Sequence, residues 1–432
     1  HGEQRPLRQD HRASIAEMLA SSLVRADPTA RRWPLLTVLT WSYGLGAFGV
    51  LGVSPLSPSL MEGLGLSRFE LAFIVPSIYV GGLVFSLPGG HLVDRLGVRP
   101  TLLGALAVGG AGLLAAALAP HFVLFLLGLA VAGCGWSVVN PVLGKAIIDL
   151  FPLTERGIAM GIKQMGLTVG GSVAALTLPP IAARWGWRVA MVACAAAVTL
   201  PVVAAWRPLA PMALPPTRRV AGTSSGLSWW WLRRPPLLVL FGAGTVLGMM
   251  QSAVLAYLPI FSVQALGFSH VGAGALVAAS QAGGAVARLA LGAASDRWLS
   301  GRRPPWLVVT SALAAVIFVV YAWLPATAPL AAGVLAFAAG VGAYGWVGIY
   351  FIISAEAGGA SRAGLLSGVS FAAIVIGLLI GAPLFGAVLE AFDSYGAAWT
   401  VFAVAAALVA VVTAVCGPAI HRECRAARQS GI

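Results

Sequence analysis

Charge is what this sequence has least of. Only 9% of its 432 residues are Asp, Glu, Lys or Arg, and the acids number just 14. A soluble globule carries roughly 25% charged residues because its surface must face water. With 59% hydrophobic residues, this chain has too little polar side chain to cover itself, so most of its surface must face lipid. Cysteine is scarce too. Cys134, Cys194, Cys416 and Cys424 show no metal-ligand spacing and lie in or beside apolar runs, where a thiol acts as a small packing residue. None of the 6 histidines falls in the middle of such a run. No nucleophile-base pair or phosphate-binding loop stands out either. The expectation is therefore a protein that is not an enzyme, with no catalytic residue, no metal and no cofactor.

What is there is apolar length. Crossing about 30 Å of hydrocarbon takes roughly 20 residues of helix, and the sequence supplies such runs near 35–57, 69–89, 100–118, 121–148, 157–180, 188–206, 235–263, 269–292, 305–325, 328–353, 363–391 and 397–418. Internal prolines such as Pro55, Pro141, Pro179, Pro180 and Pro259 read as kinks, which membrane helices tolerate when neighbours satisfy the freed backbone groups. The first run is long enough to span and is followed by many more, so it reads as a span and not as a cleavable signal. The expected fold class is an all-α membrane protein.

The net charge of +13 is not a nucleic-acid footprint, because the basic residues occupy alternate loops. Arg5, Arg8, Arg12, Arg25, Arg31 and Arg32 precede the first span; Arg95 and Arg99 follow the second, and Arg156 precedes the fifth. Arg207, Arg218, Arg219, Arg233 and Arg234 lie between the sixth and seventh; Arg297, Arg302 and Arg303 follow the eighth; Arg362 precedes the eleventh; and Arg422, Arg425 and Arg428 come after the last. The opposite loops hold Arg68, Arg184 and Arg188. This bias predicts both termini in the cytoplasm of an inner-membrane protein. It divides the chain into a cytoplasmic tail (1–33), six spans (34–206), a Pro-, Ser- and Arg-rich linker (207–234), six more spans (235–418) and a second tail (419–432). Trp229, Trp230 and Trp231, just before Arg233 and Arg234, read as an interfacial anchor.

The two sets of six repeat. After the second span stand Gly90, Asp94 and Arg95, and after the eighth Gly292, Asp296 and Arg297, at one common offset. Gly157 to Gly161 is echoed by Gly364 to Gly368. Duplicated bundles rocking about a midplane site are a common transporter plan. At these residues the sequence resembles the major facilitator superfamily, whose signature after the second helix reads roughly G-x-x-x-D-R-x-G-R-R. It stands here as Gly90, Asp94, Arg95, Gly97 and Arg99, with Val98 where a basic residue is usual. The resemblance covers about 35–418 and implies twelve helices in two pseudo-symmetric six-helix bundles. It also implies a cytoplasmic gating latch at these residues and at Gly292, Asp296, Arg297 and Arg302, where an Asp at a helix N-terminus is favoured by the dipole and biases one of two packings. The plainer reading is that these charges only end helices and set topology.

Two features weaken a drug-exporting role. Relatives that expel drugs against protons carry an Arg early in the fourth span and a Gly-Pro pair in the fifth, and this chain has neither. It has instead two cations within spans. Lys163 lies seven residues into the fifth span from Arg156, and Arg288 eight residues before Asp296, which at about 1.5 Å per residue puts both roughly 10–12 Å from the cytoplasmic end. Ionisable groups at that depth are costly and mark function. No acid stands at mid-span: Glu62, Glu70, Glu390 and Asp393 sit at outer ends, Asp149 and Glu356 at inner ones. In the resembled fold the fifth and eighth spans face each other, which implies one cavity around both cations.

A substrate bringing its own negative charge fits this pattern, Arg288 as main contact because guanidinium binds oxyanions bidentately, Lys163 as auxiliary. The alternative is that they snorkel or brace packing. Gln164 and Gln281 are polar neighbours, and Tyr43, Trp136, Asn140, Gln251, Tyr257, Tyr344 and Trp346 lie on spans that line the cavity in the resembled family. Lys145, one turn before Asp149, reads as an ion pair. Monocarboxylate carriers of the family share a D-x-x-x-R pattern that is incomplete here, with Gly284 in the place of the Asp. The reading is a monomeric secondary transporter of a small anion, such as a monocarboxylate, working by alternating access in the lipid bilayer, with a coupling proton left open. The rivals are a drug exporter and a non-transporting sensor on the same fold.

Overall fold

A computed structural model describes residues 28–152, 155–209, 233–298, 303–323 and 328–429. All regular structure among them is helical, and twelve helices are long and apolar enough to span a membrane: Arg32–Leu64, Arg68–Phe85, Val98–Leu118, Phe122–Leu150, Ile158–Trp185, Trp187–Ala204, Pro235–Gln264, His270–Leu291, Pro304–Trp323, Pro329–Gly358, Leu366–Phe392 and Tyr395–Ala426. They are numbered here as spans 1 to 12. Large apolar side chains such as Leu118, Val203, Leu330 and Val415 stand exposed on the outside. That outside is where lipid replaces water as the solvent. This is a multi-pass membrane protein. The tail before residue 28, most of the linker (210–232) with its tryptophan run, and Arg302 lie outside the described residues.

Three spans differ from their sequence expectations. Span 1 is not one straight helix: it runs from Pro28 to Leu51, tightens to a single 3-10 turn at Ser54–Leu56, and resumes over Ser57–Leu64. Pro55 and Pro58 lack the N–H that continuous helix needs, and the kinked tip carries Ser59 and Glu62 to span 8. Helical backbone is unbroken from Val347 to Phe392, yet the Ser370 hydroxyl donates to that of Ser354 at 2.8 Å. In a straight helix residues sixteen apart would be about 24 Å apart. The chain therefore turns back between spans 10 and 11 while keeping local helical geometry. Span 12 continues as helix to Gln429 where a tail is expected after 418. The extension is fastened by Glu423, which accepts from Arg234 at 3.0 Å, and by Cys424 against the Ile353 carbonyl.

Packing follows a two-fold plan. Spans 1 and 5, 2 and 4, and 3 and 6 pair in the first six; 7 and 11, 8 and 10, and 9 and 12 pair in the second. Spans 5 and 8 and spans 2 and 11 then meet across the seam. Between lipid-bathed helices there is no hydrophobic effect to drive contact, so small residues that admit close backbone approach take over. A β-carbon on Gly81 would sit 1.9 Å from the Ala130 carbonyl oxygen, and one on Gly133 1.8 Å from that of Ile78. The same interlock recurs between spans 8 and 10, where Gly283 meets Phe337 at 2.0 Å and Gly340 meets Ser280 at 1.7 Å. Gly81 and Gly283 stand as far apart in the chain as Gly90 and Gly292 do, so the sequence repeat is also a packing repeat. Gly97 of the signature closes span 2 at φ +86°, a left-handed conformation that suits glycine and strains other residues.

The bundles are tied at the face away from the described chain ends. Arg68 pairs with Asp393 at 2.6 Å, the Tyr257 hydroxyl donates to the Arg68 carbonyl at 2.8 Å, Ser54 donates to the Leu255 carbonyl, and His270 lies 3.3 Å from Glu62 and 3.2 Å from Ser59. At the other face, Arg32 with Glu155, Lys145 with Asp149, and Arg303 with Glu356 pair within one bundle, at 3.0, 3.7 and 2.8 Å.

The glycine interlock makes a direct prediction. Gly340→Val drives a side chain into the Ser280 backbone, an overpacking cost of about 1–3 kcal/mol, whereas a β-carbon at Gly333 on the same span meets nothing within 4 Å. Purified Gly340→Val is expected to melt several degrees lower than the parent protein in tryptophan-fluorescence unfolding, and Gly333→Val to melt with it. Equal melting of the two variants would show that spans 8 and 10 do not meet there.

Candidate functional site

In the first bundle, glycines place the lysine. A β-carbon on Gly166 would lie 2.5 Å from the Thr40 carbonyl oxygen, and one on Gly170 2.0 Å from that of Gly44, so span 5 lies backbone to backbone against span 1. One turn back along span 5, Lys163 is thereby set beside Tyr43 and is only 7% exposed. Its ammonium donates to Asn140 Oδ1 at 2.7 Å and stands 4.9 Å from the centroid of the Tyr43 ring, close enough for a cation-π attraction. The Tyr43 hydroxyl donates to the same Asn140 oxygen at 3.2 Å. Tyr43 also stacks on Trp136, ring centroids 5.2 Å apart and planes 5° from parallel. Tyr43, Trp136, Asn140 and Lys163 thus form one contiguous cluster drawn from spans 1, 4 and 5.

In the second bundle, a missing side chain places the arginine. A β-carbon on Gly284 would lie 2.6 Å from that of Tyr344, and this close contact lets Arg288 Nε donate to the Tyr344 carbonyl at 3.0 Å. The Arg288 charge lies within electrostatic reach of the hydroxyls of Tyr43, Tyr79 and Tyr344. Tyr43 belongs to the first bundle and packs against Lys163, and the spans that carry the two cations, 5 and 8, meet at the seam. Neither cation meets a carboxylate among the described residues. No group of three or more His, Cys, Asp or Glu able to hold a metal occurs among them either.

The other expected residues scatter. Gln281 sits on the seam, its amide nitrogen 3.3 Å from where a Gly171 β-carbon would be. Gln251 is half-buried with its Oε1 enclosed and unpartnered, and Gln164 is half-buried next to Lys163. Tyr257 is not brought to the cluster. It is wholly buried in the seal between the bundles, stacked on Phe385 at 4.4 Å, because span 7 carries it past mid-depth to the level of Arg68. Trp346 is likewise a packing residue: it is fully buried, its indole N–H donates to the Ala343 carbonyl at 2.8 Å, and it meets Tyr350 edge-on. Tyr79 was missing from the sequence expectation. It is the one tyrosine in the apolar stretch of span 2, and nothing in its neighbourhood in the sequence links it to Arg288. Of the expected latch, Arg95 is exposed and Arg99 lies over the Trp206 ring at 4.3 Å. The side chains of Asp94, Asp296 and Arg297 fall outside those described.

Residues 38–377 match the family model described as Major Facilitator Superfamily. The chain belongs to that superfamily. Among curated relatives, this major facilitator protein is 32% identical over 314 residues to the Uncharacterized MFS-type transporter MT3072 of Mycobacterium tuberculosis, covering 68% of the chain and 66% of that relative's length. Over 160 residues it is 29% identical to the Hexuronate transporter of Bacillus subtilis, covering 36% of the chain and 38% of that protein. A solved bacterial homolog of the human lysosomal transporter Spinster, inward-facing and unoccupied, superposes with a TM-score of 0.70 over 91% of the chain and 97% of its own length, at 16% identity. That likeness shows the fold.

Asn140 is the acceptor on which the buried ammonium rests. Removing it by Asn140→Leu leaves a charged donor unsatisfied, which costs about 1–3 kcal/mol or more, while Asn140→Asp supplies a counter-charge in nearly the same place. Thermal unfolding is expected to rank Asn140→Asp at or above the parent and Asn140→Leu well below it. The reverse order would mean that Lys163 does not rest on residue 140.

Proposed function

We propose that this major facilitator protein is a secondary transporter that moves a small organic or inorganic anion by alternating access. The observation that carries the reading is the pair Lys163 and Arg288, one from each bundle on the adjoining spans 5 and 8, with no carboxylate beside either among the described residues. A buried charge left without a counter-charge is expensive, and groups of this kind inside membrane spans line pathways for charged solutes. An anion between the bundles neutralises both and touches both halves at once, which is what a substrate must do to couple its binding to their rocking. The name of the Bacillus subtilis relative, a hexuronate transporter, supports an acidic solute, although over little more than a third of the chain.

The charge bias of the loops supports a cytoplasmic side at the face of Arg95, Arg156 and Arg303. On that orientation the Arg68–Asp393 and Tyr257 contacts close the outer side, and the Asp94 and Asp296 motifs form the inner latch. The protein acts as a monomer in this reading. Proton coupling through an acid four residues before Arg288 has no support, since Gly284 leaves no side chain there and Tyr344 fills the space.

Arg288→Ala tests the reading. Reconstituted into proteoliposomes, the variant is expected to lose anion uptake to background while keeping a monodisperse profile and a cooperative melt; uptake at the parental rate would overturn the assignment. A drug exporter would still protect cells from toxic compounds without Arg288, and a sensor would move no solute in any panel.

A further inference from the structure

The arrangement of the two cations bears on how many negative charges the substrate carries. Resting on the anion-transport reading above, we propose that the substrate is an organic dianion with two separated acidic groups, a short dicarboxylate, held with one carboxylate on Arg288 and the other on Lys163. Three observations lead there. First, Arg288 spends its Nε on the Tyr344 carbonyl, and its terminal nitrogens carry no bond among the described residues, so the edge that grips a carboxylate bidentately remains available. Second, Lys163 spends one N–H on Asn140 and packs against the Tyr43 face, which leaves further donors for an oxyanion. Third, no internal acid neutralises either cation. At the position where a carboxylate would sit one turn before Arg288, Gly284 is pressed against Tyr344 at 2.6 Å for a β-carbon.

A monocarboxylate bound at Arg288 therefore leaves the charge of buried Lys163 uncompensated, and a monoanion bound at Lys163 leaves that of Arg288. Two charges on one small centre, as in inorganic phosphate, neutralise the total but sit at a single point, whereas the cations come from opposite bundles, on spans 5 and 8. Two carboxylates on a short carbon chain give each bundle a negative group of its own. The Tyr43 hydroxyl, which donates to Asn140 at 3.2 Å, is a further donor beside Lys163 once Asn140 is released.

The test is competition for uptake in proteoliposomes, with malonate and succinate against acetate, lactate and inorganic phosphate, on the parent protein, on Lys163→Gln and on Asn140→Asp. The parent is expected to take up a dicarboxylate with at least ten-fold higher apparent affinity than any monocarboxylate or phosphate. Lys163→Gln is expected to erase that ratio by weakening the dicarboxylate ten-fold or more, and by more than it weakens any monocarboxylate. Asn140→Asp, which keeps Lys163 but supplies its counter-charge, is expected to move the preference the same way, so the result does not hang on one variant's folding. Equal competition by acetate or lactate in the parent, or an equal loss for both classes in Lys163→Gln, overturns the dianion while leaving anion transport standing. Uptake of none of these anions overturns both.

Discussion

Close backbone contact through glycine is the constraint on which the rest of this molecule depends. Lipid tails are as apolar as leucine, so helices gain little by merely hiding side chains from them, and association rests on dense packing. Gly170 against Gly44, Gly133 against Ile78 and Gly340 against Ser280 leave no room for a β-carbon. Each contact fixes the rotation of two helices as well as their distance. That rotation turns Lys163 inward toward Tyr43 and Asn140 where a looser span 5 would let its long side chain reach for the headgroups.

The cations follow from that geometry. Lys163 and Arg288 each hold one oxygen of the protein, an amide in the first case and a main-chain carbonyl in the second. These are dipoles rather than charges. A dipole offsets part of the cost of burying an ion; a carboxylate would offset more and would also remove the attraction for a solute. The distal seal makes the opposite choice. Arg68 and Asp393 are paired, with the carboxylate side chain 86% exposed, and an ion pair so open to water is worth about 0–1 kcal/mol. The contact is weak, and Tyr257 and Phe385 close the apolar layer beneath it.

Much of this was legible in the sequence, and what was not has a physical reason. Apolar length alone gave the twelve spans, since hydrocarbon thickness sets a minimum that few other structures meet. The repeat of Gly90, Asp94 and Arg95 at Gly292, Asp296 and Arg297 announced the duplication, and the depth of Lys163 and Arg288 could be counted from the loops. Facing direction could not be counted. Tyr257 and Tyr79 are both hydroxyls in apolar stretches, and which one looks toward Arg288 depends on helix rotation, set by contacts distant in sequence. The kink of span 1 was visible as Pro55 and Pro58, but prolines inside spans are common enough that they do not say where helix stops and restarts. The turn between spans 10 and 11 was expected from the apolar runs, but not that its backbone would stay helical from Val347 to Phe392.

The duplication also separates scaffold from chemistry. The interlocking glycines match across the halves: Gly133 and Gly170 stand as far from Gly340 and Gly377 as Gly157 does from Gly364, and both members of each pair press on a carbonyl. The polar residues do not match. At that same spacing the partner of Lys163 is Ser370, which bonds Ser354 inside its own bundle, and the partner of Asn140 is Val347. Arg288 answers, at the spacing of the Gly90 repeat, to Ser86 in the first half. A two-fold frame thus carries an ammonium in one half and a guanidinium in the other, at positions that the repeat does not relate. Rocking needs the frame to be alike in both halves, because each bundle must present similar surfaces in the two states. Recognition is free of that requirement, and Lys163 and Arg288 have no charged counterparts at the repeat spacings.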